Sequence, residues 1–213
     1  GDVLVLNDTK VLPARLFAKR ETGGRVEILL LREMPSCWEA LVKPSARIRE
    51  GEELKLDQDS GARLHVLDPP HGETGLRRVL FKTDQDIKSL LNKIGRVPLP
   101  PYIDREDTPV DRELYQTVFA KRPGAVASPT AGLHFDEPLL ERLETRGVEI
   151  QFITLHVSYG TFQPVMSEDL ARHRMYEEYF EIPDDTAERI NFAKADGRRI
   201  TACGTTVVRA LES

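Results

Sequence analysis

The sequence predicts an α/β protein, an open sheet with flanking helices, into which a small antiparallel β-barrel is inserted. Three observations carry this. Short apolar runs, most of them β-branched, end in loops rich in small polar residues and glycine, as strands of an open α/β sheet do. Between residues 14 and 82, about six strand-like runs follow one another with no helical period between them. From Asp84 onward the apolar spacing lengthens to that of helices.

Taken in order, DVLVL reads as a buried first strand and NDTK (Asn7 to Lys10) as the loop that ends it. ARLFAKR, RVEILLLR, WEALVK, EELKL, ARLHVL and LRRVLFK are the barrel strands. Gly23-Gly24, Pro35-Ser36 and the turn-rich DPPHGETG separate some of them. VPLPPYIDRED is a proline-stiffened connector. DQDIKSLLNKIG, DRELYQTVFAK, DEPLLERLETRG and DDTAERINFAKADG have helical spacing, each begins at an Asp suited to capping, and three end at Gly. VEIQFITLHV and RRITACG are strands, and VVRALES is a last helix. If AVA (125–127) is also a strand, the helix at 137–146 and the strand at 148–157 complete a β-α-β crossover. The expected division is an α/β body of residues 1–13 and 84–213, with residues 14–83 as the inserted barrel. The chain starts without Met and ends inside a helix-like run, so a longer parent protein is expected.

The 213 residues are 40% hydrophobic and 31% charged, ordinary for a water-exposed globular chain. No apolar run reaches the roughly 18 residues of a membrane span, and no signal peptide is apparent. Cys37 and Cys203 are too few and too far apart for a disulfide framework or a zinc cluster, so a reducing cytoplasm is expected and no metal site. The net charge of −5 is local: residues 167–188 hold eight Asp/Glu against Arg172 and Arg174, a net of −6, which leaves +1 for the remainder. A nucleic-acid partner is therefore not excluded.

Four loops carry the candidate chemistry. SPTAGLHF offers Ser128, Thr130, the amides around Gly132 and the imidazole of His134 just ahead of a helix, where amides and dipole favour an anion. A tight turn with a capping Thr and a structural His would read the same. His156 closes a strand on the face of Ile150, Phe152 and Thr154, followed by the SYGTF loop with Gly160 and Thr161. Two imidazoles at the ends of adjacent parallel strands would suit proton transfer near neutral pH. CGTT places Gly204, Thr205 and Thr206 at a helix start, as caps or ligand donors. NDTK supplies Asp8 and Lys10, and is also an ordinary turn. HRMYEEYFEI joins His173 to Glu177 and Glu178, and on its residues alone reads first as a solvated acidic face. Walker A, GxGxxG, HExxH and paired CxxC motifs are absent.

In this order the segments GDVLVLNDTKVLPARL, GRVPLPPYI, YQTVFAKRPGAVASPTAGLHF, VEIQFITLHVSYGTFQPV, HRMYEEYFEI and ACGTTVVRALE resemble one family, the S-adenosylmethionine:tRNA ribosyltransferase-isomerases of queuosine biosynthesis. PTAGLHF followed by LHV-x-x-GTF-x-P is specific to it. The family has the same barrel insertion. It differs at Ser128, Ser158-Tyr159 and Tyr176-Glu177, and it has N- and C-terminal parts beyond this text. The resemblance implies transfer and isomerisation of the ribosyl part of S-adenosylmethionine onto 7-aminomethyl-7-deazaguanine at the tRNA wobble position. Epoxyqueuosine-tRNA results, with release of adenine and methionine.

S-adenosylmethionine would be a co-substrate, and no cofactor would be permanently bound. Catalytic roles would fall to His134, His156, Asp8 and His173. Thr130, Gly132, Gly160, Thr161, Gly204, Thr205 and Thr206 would hold S-adenosylmethionine, and Lys10, Arg15, Lys121 and Arg122 the RNA phosphates. The partners would be tRNA and S-adenosylmethionine, with no membrane, and a monomer is favoured. The alternatives are a non-catalytic RNA-binding module with basic barrel edges (Lys19, Arg20, Arg25, Arg77, Arg78), and a small-molecule α/β enzyme unrelated to RNA.

Overall fold

A computed structural model describes residues 1–57, 61–68, 75–158 and 177–213. The chain divides into two compact units. One comprises Gly1–Val11, Pro100–Ile103 and Thr108–Ser213, the other Leu12–Leu99 and Asp104–Asp107.

In the first unit, strands β1 (Val3–Asn7) and β2 (Thr9–Val11) open the chain. The second unit holds strands β3 (Arg15–Arg20), β4 (Arg25–Glu33), β5 (Trp38–Lys43), β6 (Glu53–Leu56), β7 (Arg63–Asp68) and β8 (Leu76–Lys82), followed by helix α1 (Ile87–Ile94). The six strands close into an antiparallel barrel in the order β3-β4-β5-β8-β7-β6, sealed by β6 against β3 at Ala18↔Leu56. Alternate residues fill the interior: Leu16 and Ala18, Val26, Ile28 and Leu30, Ala40 and Val42, Leu54 and Leu56, Leu64 and Val66, Val79 and Phe81 are all buried. That period of two lets a six-stranded barrel pack solid.

Residues 84–99, assigned by sequence to the α/β body, lie in the barrel unit. Asp86 caps α1 through the Ser89 amide (2.9 Å), and Leu90, Leu91 and Ile94 are buried. Gly95 admits the close approach of Pro13, because a Cβ there would fall 2.0 Å from the Pro13 carbonyl oxygen. Arg15 and Arg96 exchange backbone hydrogen bonds of 3.1 and 2.8 Å.

The first unit continues with α2 (Asp111–Leu114), β9 (Arg122–Ala125), a 3-10 turn at Thr130–His134, α3 (Glu137–Thr145), β10 (Glu149–Leu155), β11 (Phe180–Glu181), α4 (Asp184–Ala195), β12 (Ile200–Ala202) and α5 (Thr205–Leu211). Its main sheet has the order β11-β10-β1-β12. Strand β1 is parallel to β10 and to β12, and β11 is an antiparallel edge. Every residue of β1 is buried, as the continuous apolar run required of a central parallel strand. Val3, Val5, Ile153, Leu155 and Val157 form one core with Ala193 of α4 and Val207 and Ala210 of α5.

Four expectations are corrected. AVA is not a strand of the main sheet. Only Ala125 belongs to β9, which pairs in parallel with β2, while Val126 and Ala127 donate to the Val157 carbonyl. The parallel neighbour of β10 is β1, so His134 and His156 do not end adjacent parallel strands. Residues 111–121 form one helical turn rather than a long helix. Gln116 leaves the helical path because its amide pairs with both backbone groups of Val11, at 3.0 and 2.9 Å. Of the Asp residues that open the four helical segments, only Asp136 caps as expected; α1 is capped by Asp86, two residues past Asp84. Asp111 accepts instead from Thr108, and Asp184 lies within the first turn of α4 behind Pro183.

Candidate active site

The loop after β1 is built by side chains that imitate a backbone. Asn7 Oδ1 accepts from Leu155 N (3.0 Å) and Thr9 N (3.1 Å), while its Nδ2 donates to Leu155 O (3.0 Å). The β1–β10 ladder thus runs one step past its last backbone pair. The same Nδ2 lies 3.4 Å from Thr206 Oγ1, which joins NDTK to the start of α5. Asp8 is 8% exposed and accepts a 2.6 Å hydrogen bond from Thr154 Oγ1. Its carbonyl accepts from the amides of Lys121 and Arg122, at 2.8 and 3.1 Å, and so anchors β9 beside the loop.

His156 stands one residue past β10. Its Nδ1 is 2.8 Å from Thr9 Oγ1, its ring stacks on Tyr179 (centroids 5.4 Å apart), and its amide donates to the Tyr179 carbonyl. Gly124 of β9 abuts the ring. A Cβ there would fall 2.4 Å from Nε2 and 2.6 Å from both Cδ2 and Cε1, the spacing of an atom lying over the ring face. Burial pushes the imidazole below its ordinary pKa and Arg122 adds to that, against the opposing pull of the Asp8 and Glu181 carboxylates. Tyr179 O–H donates to Glu181 (3.0 Å), which raises the phenol's pKa, and Glu181 also accepts from Arg122 Nη1 at 2.9 and 3.0 Å.

The SPTAGLHF loop meets CGTT at Gly204. That residue has φ +81°, and a Cβ on it would lie 2.9 Å from Ala131 Cβ. Gly132 is buried against Thr117 and Phe119, where a Cβ would fall 2.8 Å from Thr117 Cγ2. The buried hydroxyls of Tyr115, Thr117 and Ser128 have no hydrogen-bond partner among the described residues. Burial pushes Tyr115 up to about 12. Thr130, His134 and Thr205 are exposed, and no side chain caps α5, whose N-cap is Gly204.

The structure therefore brings Asp8, His156, Thr206, Gly204, Lys121 and Arg122 into one linked network, with Lys10 exposed on β2. Arg15 lies in the barrel unit, its Nε 3.2 Å from Glu27 as an ion pair. His173, Gly160 and Thr161 lie outside the described residues. Glu178 corrects the reading of a solvated acidic face. Its side chain is 3% exposed, accepting from Ser158 N (2.7 Å) and from Arg209 Nη1 of α5 (2.6 Å). Sequence reasoning missed Thr9, Gly124 and Arg209, and it named Glu178 without its buried partners. Thr9 sat inside a quoted motif but read as a turn residue, and a glycine that admits a ring carries no sequence mark of its own.

The model of a family described as queuosine biosynthesis protein matches residues 1–213. The chain is 49% identical over 216 residues to the S-adenosylmethionine:tRNA ribosyltransferase-isomerase of Syntrophotalea carbinolica, covering 100% of this chain and 62% of that one. It is 48% identical over 213 residues to the protein of that name from Syntrophomonas wolfei subsp. wolfei, again across 100% of this chain and 60% of the relative. It thus spans about three fifths of the length of these curated relatives. A solved S-adenosylmethionine tRNA ribosyltransferase from Thermotoga maritima is 30% identical, with 99% of this chain and 54% of that one covered and a TM-score of 0.34. With every residue inside the family match, the chain belongs to the queuosine biosynthesis protein family.

Proposed function

We propose that this chain carries the acid–base and S-adenosylmethionine-binding part of a cytoplasmic tRNA ribosyltransferase-isomerase. The reaction is transfer and isomerisation of the ribosyl moiety of S-adenosylmethionine onto 7-aminomethyl-7-deazaguanine in tRNA, with release of adenine and methionine. The observation that carries the reading is the meeting of three polar loops at one sheet edge. Asn7 reaches Thr206 at 3.4 Å, Gly204 abuts Ala131, and Thr9 holds His156. Loops at the carboxyl ends of parallel strands are where open α/β folds bind ligands. The names of the curated relatives agree with it.

The sulfonium of S-adenosylmethionine acidifies the neighbouring ribose carbon, so a positioned base can remove its proton. Departing adenine needs a proton or a hydrogen bond, and the attacking amine must shed one. Asp8, His134, His156 and His173 are the groups we assign to these tasks. Thr130, Gly132, Gly160, Thr161, Gly204, Thr205 and Thr206 would hold the co-substrate.

The binding-module alternative draws less support from the barrel, whose basic side chains are engaged within it. Lys19 pairs with Asp57, Arg20 with Glu52, Arg25 lies over Phe17, and Arg77 donates to Ser45. The test is incubation of the full-length protein with substrate tRNA and S-adenosylmethionine. Adenine and methionine are the expected products; S-adenosylhomocysteine would mean methyl transfer and end the reading.

A further inference from the structure

Thr9 is 0% exposed, and its main chain is fixed on both sides, by Asn7 Oδ1 on its amide and by the register Thr9↔Arg122. Among the described residues its hydroxyl has one partner, His156 Nδ1 at 2.8 Å. A buried hydroxyl has a proton to place, and here the acceptor within reach is that ring nitrogen. If Nδ1 carried a proton and donated to Thr9, the hydroxyl proton would be left buried without an acceptor. The arrangement that satisfies both groups has Thr9 donating and Nδ1 accepting, which puts the neutral ring's proton on Nε2.

The ring is packed by its neighbours. Gly124 lies over one end of it, Tyr179 stacks against it, and the His156 amide is tied to the Tyr179 carbonyl. Among the described residues, the charged and titratable groups around it are Asp8 from the β1–β2 junction, Arg122 from β9, and Tyr179 and Glu181 from the β11 edge.

We propose that Thr9 is a positioning residue that holds neutral His156 as the Nε2–H tautomer, making the imidazole a hydrogen-bond donor to substrate rather than a base. This rests on the functional reading above, and it divides the labour that reading left open. Nδ1, the one basic nitrogen of this tautomer, is occupied by Thr9. Removal of a substrate proton then falls to another group of the site.

Two measurements on the full-length protein decide the matter. Long-range proton–nitrogen NMR of the imidazoles should find His156 Nδ1 pyridine-like and Nε2 pyrrole-like near neutral pH. Thr9→Val should mix the two tautomers, and Thr9→Ser should restore one. A pyrrole-like Nδ1 in the wild-type protein overturns the proposal, whether or not adenine is released, so the tautomer arm stands apart from the enzymatic reading. In the kinetic arm, His156→Gln keeps an N–H donor near the Nε2 position but has no basic nitrogen. It should stay within about tenfold of wild-type kcat, while His156→Ala loses about 100-fold or more. The acid limb of kcat/KM should survive in His156→Gln; its disappearance there would make His156 the base and also overturn the proposal.

Discussion

The side-chain amide of Asn7 pairs with both backbone groups of Leu155, receiving from its N–H and donating to its C=O at 3.0 Å each. A side chain thereby does the work of a peptide unit, at the point where β1 ends and the loop that follows it begins. Asn7→Ala leaves the Leu155 pair and the Thr9 amide without these partners in a buried setting. The expected loss is about 2–4 kcal/mol, or roughly 5–15 °C in melting temperature for a chain of this size. Thermal denaturation followed by circular dichroism measures it, and a shift under a degree would show that the ladder extension contributes nothing.

Gly124→Ala places a methyl group against the His156 ring. Its backbone does not need glycine's special conformations, so the folded state should survive while the ring is displaced. Turnover should fall by about tenfold to 100-fold with little change in unfolding midpoint. Equal losses in stability and rate would instead point to a packing defect of the whole strand.

The Glu178–Arg209 pair joins the second residue after the 159–176 segment to the last turn of α5, and Glu178 also receives the Ser158 amide. Arg209 is about one-third exposed, so solvent screens part of the interaction. Glu178→Gln should cost about 1–3 kcal/mol in urea unfolding. Arg209→Ala should cost about as much, and the double variant less than the sum, because the two share one interaction.

Stability should also depend on pH through His156. Its folded-state pKa lies below the ordinary value of 6.5, so the unfolded chain binds the proton more readily. Unfolding free energy should therefore hold above about pH 6.5 and decline as pH falls from there toward the folded-state value. His156→Gln should flatten that part of the curve. The losses due to Glu52, Glu53 and Glu149, whose pKa values the neighbouring Arg and Lys side chains lower, come at more acidic pH, below about 4.5.

On the RNA side, Lys10 and Arg122 should behave differently. Lys10 is exposed on β2, whereas Arg122 already has Glu181 as an internal counter-ion. Lys10→Ala should weaken tRNA binding and reduce the slope of log affinity against log salt by about 0.7–0.9. Arg122→Ala should do less on both counts, and Glu181→Gln should tighten binding. Filter binding across a salt series separates them; an Arg122→Ala effect matching that of Lys10→Ala would mean that the phosphate displaces Glu181.

The barrel was legible almost residue by residue, because alternation such as that of Leu16 and Ala18 or Val79 and Phe81 is a local signal. The helix at 137–145 was legible for the same reason, framed by the Asp136 cap and the positive φ of Gly147. What sequence could not reveal was pairing at a distance. Strand β9 begins at Arg-Pro-Gly, poor strand residues, and is anchored where the Asp8 carbonyl receives the amides of Lys121 and Arg122 at its start. Gln116 leaves its helix for Val11, 105 residues away. At the site, the motif text located the loops, but the contacts that specify His156 come from Thr9 and Tyr179. Either residue is unremarkable until the fold sets it beside the ring.

The reciprocal bonds between Arg15 and Arg96 have a consequence for how the molecule assembles. Between them runs the whole barrel, some eighty residues of chain that enter and leave through one clasp. Once the barrel has closed, those residues no longer behave as a long flexible loop, and the entropy of joining β1 to its distant partners falls by that much. The effective sequence separation between the two parts of the first unit shrinks accordingly, and with it the topological delay in pairing β1 with β10 and β12. The same clasp makes the insertion self-contained, so its loops can change length without altering the span that the rest of the chain must bridge.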